Sequence, residues 1–200
     1  MSPPENHVRV HSVAEAYLYL LTLRCPHCAR GPVQASGELT KTGDDTSSWA
    51  IGARCGACEH LGSIRFTINP TPTREAARSD CINPTNEPSL AIDLLGWLTL
   101  FQSIINASEK EPDRSASRQL AHEAAQCLDE AMKFYGEEGE LPSVDAFFGD
   151  EARRRFREHP EHFARAKWRQ RRLMLPEASV KTTREGRRGK RWWQFWRGGQ

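Results

Sequence analysis

Two Cys-x-x-Cys pairs, Cys25-Pro26-His27-Cys28 and Cys55-Gly56-Ala57-Cys58, stand 26 residues apart in this chain of 200. No other feature constrains the fold as much. Each pair delivers two sulfurs from one tight turn, and two such turns brought together complete a tetrahedral shell for an ion that favours thiolates. The expected ligands are Cys25, Cys28, Cys55 and Cys58, and the expected ion is structural Zn2+. Four thiolates leave no open position for water, so the metal is expected to be non-catalytic. Its binding energy, on the order of 10 kcal/mol for sites of this kind, is then folding energy. A small sheet without a core of its own needs such a staple.

The segments around the cysteines read as short strands at Val33 to Leu39, Trp49 to Arg54 and Ser63 to Ile68. Gly43-Asp44-Asp45 and Thr46-Ser47-Ser48 supply turn chemistry between the first two. With the four cysteines and Pro26, this pattern over about residues 22–70 resembles a zinc ribbon, a class found in transcription, translation and adaptor proteins. The resemblance implies a three-stranded antiparallel sheet closed by two knuckles. Ribbon knuckles usually carry Gly directly after the second Cys, whereas this chain has Ala29 and Glu59 there, with Gly31 and Gly56 displaced. Cys-Pro-His-Cys also resembles the dithiol of disulfide-exchange proteins. That chemistry needs the first Cys at the start of a long helix, and Ala29-Arg30-Gly31-Pro32 cannot continue one. A thiol redox sensor that releases metal on oxidation stays as a lower alternative.

His27 and His60 read as exposed turn residues, since four thiolates already fill the shell. Cys127 reads as a small buried residue and Cys81 as a loop residue. Nothing indicates a disulfide framework, so a reducing, cytoplasmic setting is expected. Tyr17 to Leu23 is apolar, but no cationic segment precedes it and Glu15 interrupts, which argues against a signal peptide. Ser12-Val13-Ala14-Glu15 instead forms a capping box and predicts a short helix from about Val13 into the first knuckle. Leu90 to Phe101 is too short to span a bilayer and contains Asp93.

The fold class expected is α+β. It comprises residues 1–69 (short helix and ribbon), a Pro-rich connector at 70–88, a helical domain at 89–175 and a basic, disordered aromatic tail at 176–200. Leu94, Trp97, Leu98, Phe101, Ile104 and Ile105 recur at helical spacing, widened by Ile92, Leu95 and Leu100. A second helix from about Asp113 or Arg114 carries Leu120, Ala121, Ala124, Leu128, Ala131 and Tyr135 on one face. The short connection between them predicts an antiparallel helical hairpin. Glu151 to His159 and Glu161 to Leu175 read as two helices split by Pro160, with Phe156, Phe163, Trp168, Leu173 and Leu175 available for packing.

The overall charge of +2 conceals a polar chain. Residues 151–200 hold sixteen Lys and Arg against five Glu, while residues 1–150 hold twelve against twenty-one Asp and Glu. Arg165, Arg169 and Arg172 fall on one helical face. They read either as a surface that tracks phosphates or, more simply, as a solvated outer face paired with the acidic Glu137 to Glu140 loop or with the acidic first part of the chain. In the tail, Lys190, Arg191, Trp192, Trp193, Phe195, Trp196 and Arg197 combine cations with aromatic rings that are costly to leave in water. The open readings are attachment to an anionic membrane surface, stacking on single-stranded bases, insertion into a protein partner or a tail without function.

No catalytic constellation is visible. His122-Glu123-Ala124-Ala125-Gln126 resembles the first half of the zincin helix motif, but Gln126 stands where the second histidine would complete the metal pair. His159-Pro160-Glu161-His162 could take a metal loosely, yet the proline is expected to keep the two imidazoles off one helical face. The expectation is a non-enzymatic, zinc-binding adaptor or scaffold acting through an unknown protein partner, with the tail offering attachment to a membrane. A regulator that binds nucleic acid through the ribbon and the Arg-rich helices is the alternative.

Overall fold

The computed structural model describes residues 7–42, 47–68, 82–137 and 139–176. The predicted turn at 43–46, Cys81, most of the connector and the tail residues Lys190, Arg191, Trp192, Trp193, Phe195, Trp196 and Arg197 lie outside the described residues. The chain is mixed α and β and divides into two compact units. Of the described residues, the first holds those up to Thr85 together with Ser89–Ala91; the second holds Asn86–Pro88 and those from Ile92 to Pro176.

In the first unit, strand β1 (Val8–Val10) leads into helix α1 (Val13–Thr22), and strands β2 (Val33–Ala35), β3 (Thr40–Lys41), β4 (Ser48–Cys55) and β5 (Leu61–Ile68) follow. The sheet has five strands in the order β1-β5-β4-β2, with β3 also on β4. Two features depart from the expected three antiparallel strands. The segment Val33 to Leu39 is cut short at Ala35 and resumes at Thr40. A β-carbon on Gly52 would meet the Ser36 hydroxyl at 2.5 Å, so Ser36 crosses close over the neighbouring strand just where β2 ends. The second departure is β1, which adds a parallel edge, with Val8 opposite Phe66 and Val10 opposite Ile68.

Alternation along β4 turns Ile51, Ala53 and Cys55 inward, and α1 covers that face with Ala16, Tyr17 and Leu20. The helix starts where the capping box predicts. Ser12 accepts from the Glu15 N–H at 3.0 Å, and the Glu15 carboxylate reaches back to the His11 N–H. The Tyr17 hydroxyl accepts from the Leu39 N–H at 3.2 Å, holding the segment between β2 and β3.

The second unit contains α2 (Leu94–Lys110), α3 (Arg114–Met132), α4 (Asp150–Glu158) and α5 (Arg165–Leu173), with 3-10 turns at Val144–Ala146 and Pro160–Phe163. Asp93 and Asp113 cap α2 and α3 by accepting from Gly96 and Ala116 at 2.8 and 2.7 Å. Near the link between these helices, the Ser108 and Ser117 hydroxyls each donate to the other residue's carbonyl, at 2.8 and 2.9 Å. Trp97, Phe101, Leu128, Phe147, Phe163 and Trp168 are buried. Leu173, expected to pack, is 86 % exposed. The Pro160–Phe163 turn also differs from expectation. A 3-10 turn has three residues per turn and eclipses positions i and i+3, so the His159 and His162 rings stack with centroids 5.0 Å apart. No helix among the described residues is long and apolar enough to cross a membrane.

Candidate metal centre

The first knuckle joins α1 to β2, and the second is the turn of the β4–β5 hairpin. Val33, just past the first knuckle, pairs with Cys55 at the start of the second. This register brings the two turns together.

The knuckles repeat one hydrogen-bond pattern. Cys25 donates its N–H to the Arg30 carbonyl at 2.6 Å and Cys55 donates to His60 at 2.9 Å. Ala29 and Glu59 return N–H bonds to the Cys25 and Cys55 carbonyls at 2.8 and 2.9 Å. The His27 and Ala57 N–H groups point at the Cys25 and Cys55 sulfurs, at 3.4 and 3.3 Å. Ala29 and Glu59, standing where ribbons usually carry Gly, both adopt left-handed backbone, with φ of 55° and 59°. Of the displaced glycines, Gly31 has a separate reason. A β-carbon on Gly31 would lie 2.9 Å from the Leu23 carbonyl oxygen, and Gly56 donates its N–H to the Pro32 carbonyl at 3.0 Å.

All four sulfurs lie within 4.8 Å of one another. Across the knuckles, Cys25 and Cys58 are 3.7 Å apart, as are Cys28 and Cys55. A disulfide would require about 2.05 Å. A tetrahedral ion with metal–sulfur bonds of about 2.3 Å places its sulfurs roughly 3.8 Å apart, so the cluster fits one such ion. Cys25 and Cys55 are buried, while Cys28 and Cys58 are half-buried. The Ala57 N–H pulls the Cys55 thiol down to about 6. Cys58 is pushed up to about 12, because burial and the neighbouring sulfurs outweigh the His60 N–H that lowers it. A cation held here displaces the remaining thiol protons.

His27 and His60 are exposed, as expected, and stack on each other with centroids 5.2 Å apart and planes 6° from parallel. Nothing in their sequence spacing signalled the pairing, which follows from the register that joins the knuckles.

The arginines have divergent surroundings. Arg165 donates to the Gly136 and Glu137 carbonyls at 2.8 Å each. Arg172 holds Asp129 through two bonds of 2.6 and 3.1 Å. Arg169 is exposed. Glu123 is buried and accepts from Gln119 at 2.9 Å, and His122 and Glu123 join no cluster of ligating side chains among the described residues. Cys127 is buried, and that burial, with Glu123, Glu130 and Asp129 nearby, pushes its thiol well up. The chain matches no protein-family profile, no curated protein and no solved structure.

Proposed function

We propose that the chain is a non-enzymatic adaptor whose first unit is a zinc ribbon, stapled by a structural Zn2+ on Cys25, Cys28, Cys55 and Cys58, and that it acts through a protein partner. The supporting observation is the convergence of four sulfurs at tetrahedral spacing on two knuckles of one geometry. A shell of four thiolates leaves no coordination position for a substrate or an activated water. Its role is to fix the sheet that presents a surface. Leu61, 66 % exposed beside the second knuckle, is an apolar element of that surface. The basic aromatic tail, Lys190 to Arg197, attaches the protein to an anionic membrane or to the partner.

The nucleic-acid alternative draws on Arg165, Arg169 and Arg172. Two of these guanidiniums are already engaged within the molecule, which favours the adaptor reading.

The test combines metal analysis with a binding series. Purified full-length protein is expected to carry one Zn2+ through a mild chelator wash and through mild peroxide; release by peroxide would move the reading to a redox sensor. The full chain and a version ending at Pro176 are then titrated with anionic vesicles and with single- and double-stranded DNA over a range of salt. Vesicle binding that disappears with the tail, without DNA binding, supports the adaptor. Salt-steep DNA binding that survives truncation and weakens in Arg169→Gln overturns it.

A further inference from the structure

The second group of ligating side chains among the described residues is His159, Glu161 and His162, all exposed. The Glu161 Oε1 atom lies 3.5 Å from His159 Nδ1 and 3.6 Å from His162 Nε2. Both separations exceed the roughly 2.7–3.2 Å of a well-formed hydrogen bond and are those of exposed ion pairs. They also match a second geometry. Ligands about 2.0–2.2 Å from a tetrahedral ion stand roughly 3.3–3.6 Å apart along each edge. The Glu161 oxygen thus sits at tetrahedral-edge spacing from each of two imidazole nitrogens, and all three atoms lie within 4.8 Å of one another; the stacked rings need only turn on their exposed side chains to aim at one ion.

The turn that carries them is held in place from the inside. Phe163 is buried against Phe147 and Phe156, with ring centroids 5.0 and 5.7 Å away. Its carbonyl accepts from the Tyr135 hydroxyl at 2.8 Å, and the His162 carbonyl accepts from the Trp168 indole N–H at 3.0 Å. Pro160 fixes the first position of the turn. The backbone under the three ligands is therefore set before any ion arrives, which lowers the ordering entropy that binding must overcome. The surroundings are basic, but Glu151 engages Arg154 and Arg155, at 2.6 and 3.0 Å.

We propose that His159, Glu161 and His162 form a second, solvent-facing site for a borderline divalent cation of the Zn2+ type. Two imidazoles and one carboxylate are the donor set such ions accept. Unlike the four-thiolate shell, this site leaves coordination positions open to water or to a donor group from another molecule.

The test uses zinc-loaded full-length protein, washed with a mild chelator, and a titration with Zn2+ against a competing chromophoric chelator at neutral pH. One further equivalent is expected to bind and to exchange freely. In His162→Ala its affinity is expected to fall by at least about tenfold, the loss that removing even an outer-shell partner produces, and Glu161→Gln is expected to weaken it in the same direction. His162 is 60 % exposed, so its replacement leaves the core in place; matching circular dichroism spectra verify this. Imidazole nitrogen NMR provides a second readout, with the His159 and His162 signals moving on addition of Zn2+. The comparison between parent and variant holds whatever the cysteines bind. Absence of a further equivalent, or an unchanged affinity in both variants, overturns the proposal.

Discussion

Ala29 and Glu59 hold left-handed backbone, at φ of 55° and 59°, where a side chain costs roughly 1–2 kcal/mol relative to the ordinary right-handed region. Each persists because the surrounding bonds over-determine it. The N–H of each residue closes on the first Cys carbonyl of its knuckle, and the residue after it accepts from that cysteine or, at His60, does the same from Cys55. Relieving the strain should therefore stabilise the protein without altering the site. Ala29→Gly is expected to raise the stability of the zinc-loaded protein by about 0.5–1 kcal/mol, the strain relieved less the extra chain entropy that Gly loses on folding. Ala29→Val should lower it by at least 1 kcal/mol or so, because a β-branched side chain tolerates this backbone least. Urea midpoints at constant slope measure both, and midpoints that do not move would mean that position 29 carries no strain.

At the scale of elements, Tyr135 ties the end of α3 to the turn before α5. Its hydroxyl donates to the Phe163 carbonyl at 2.8 Å inside the core. Tyr135→Phe keeps the ring but leaves that carbonyl without its donor, which should cost about 1–2 kcal/mol. The pH dependence has a definite sign. Burial first, and Glu140 next, raise the phenol above its ordinary 10.0, against a lowering by Arg165. The folded state thus favours the neutral phenol. The contribution of Tyr135 is full below pH 10 and is lost as the pH rises beyond it. The parent should lose stability between neutral pH and pH 11 by more than Tyr135→Phe does, as thermal midpoints of the two would record; parallel curves would sink the assignment.

The same scale marks what the sequence could reveal. Asp93, Asp113 and Ser12 are short polar residues before apolar periodicity, and each caps its helix as local chemistry dictates. The inward run Ile51, Ala53, Cys55 is equally local. The parallel edge strand Val8–Val10 is not, since three residues carry no usable period and their partner, Phe66 to Ile68, lies more than fifty positions away. The break after Ala35 depends on how closely Ser36 passes Gly52, a tertiary distance. The stacking of His159 on His162 was hidden for another reason. Pro160 excludes an α-helical continuation, but it permits the tighter 3-10 turn, whose period of three makes the two rings neighbours.

For the whole molecule, the four cysteines of the proposed zinc site all belong to the first unit, and the proposal predicts that this metal and stability are coupled in one half of the chain only. Among the described residues, Cys25 and Cys55 of the proposed site are themselves part of the first unit's buried core. If the proposed ion is lost, nothing covalent ties the two knuckles at the point where β2, β4 and β5 converge. The helical unit packs Trp97, Phe101, Leu128 and Phe147 with no ligand among them. Removing the metal with a strong chelator, or substituting Cys28→Ser, should therefore abolish amide protection along β4 and β5 while α2 and α3 keep theirs, as hydrogen exchange followed residue by residue would record. Protection lost uniformly would mean that the two units fold as one cooperative body. Protection retained throughout would mean that apolar packing under α1 holds the sheet without the ion, and the cysteine cluster would then have to be read as reactive thiols instead of a structural staple.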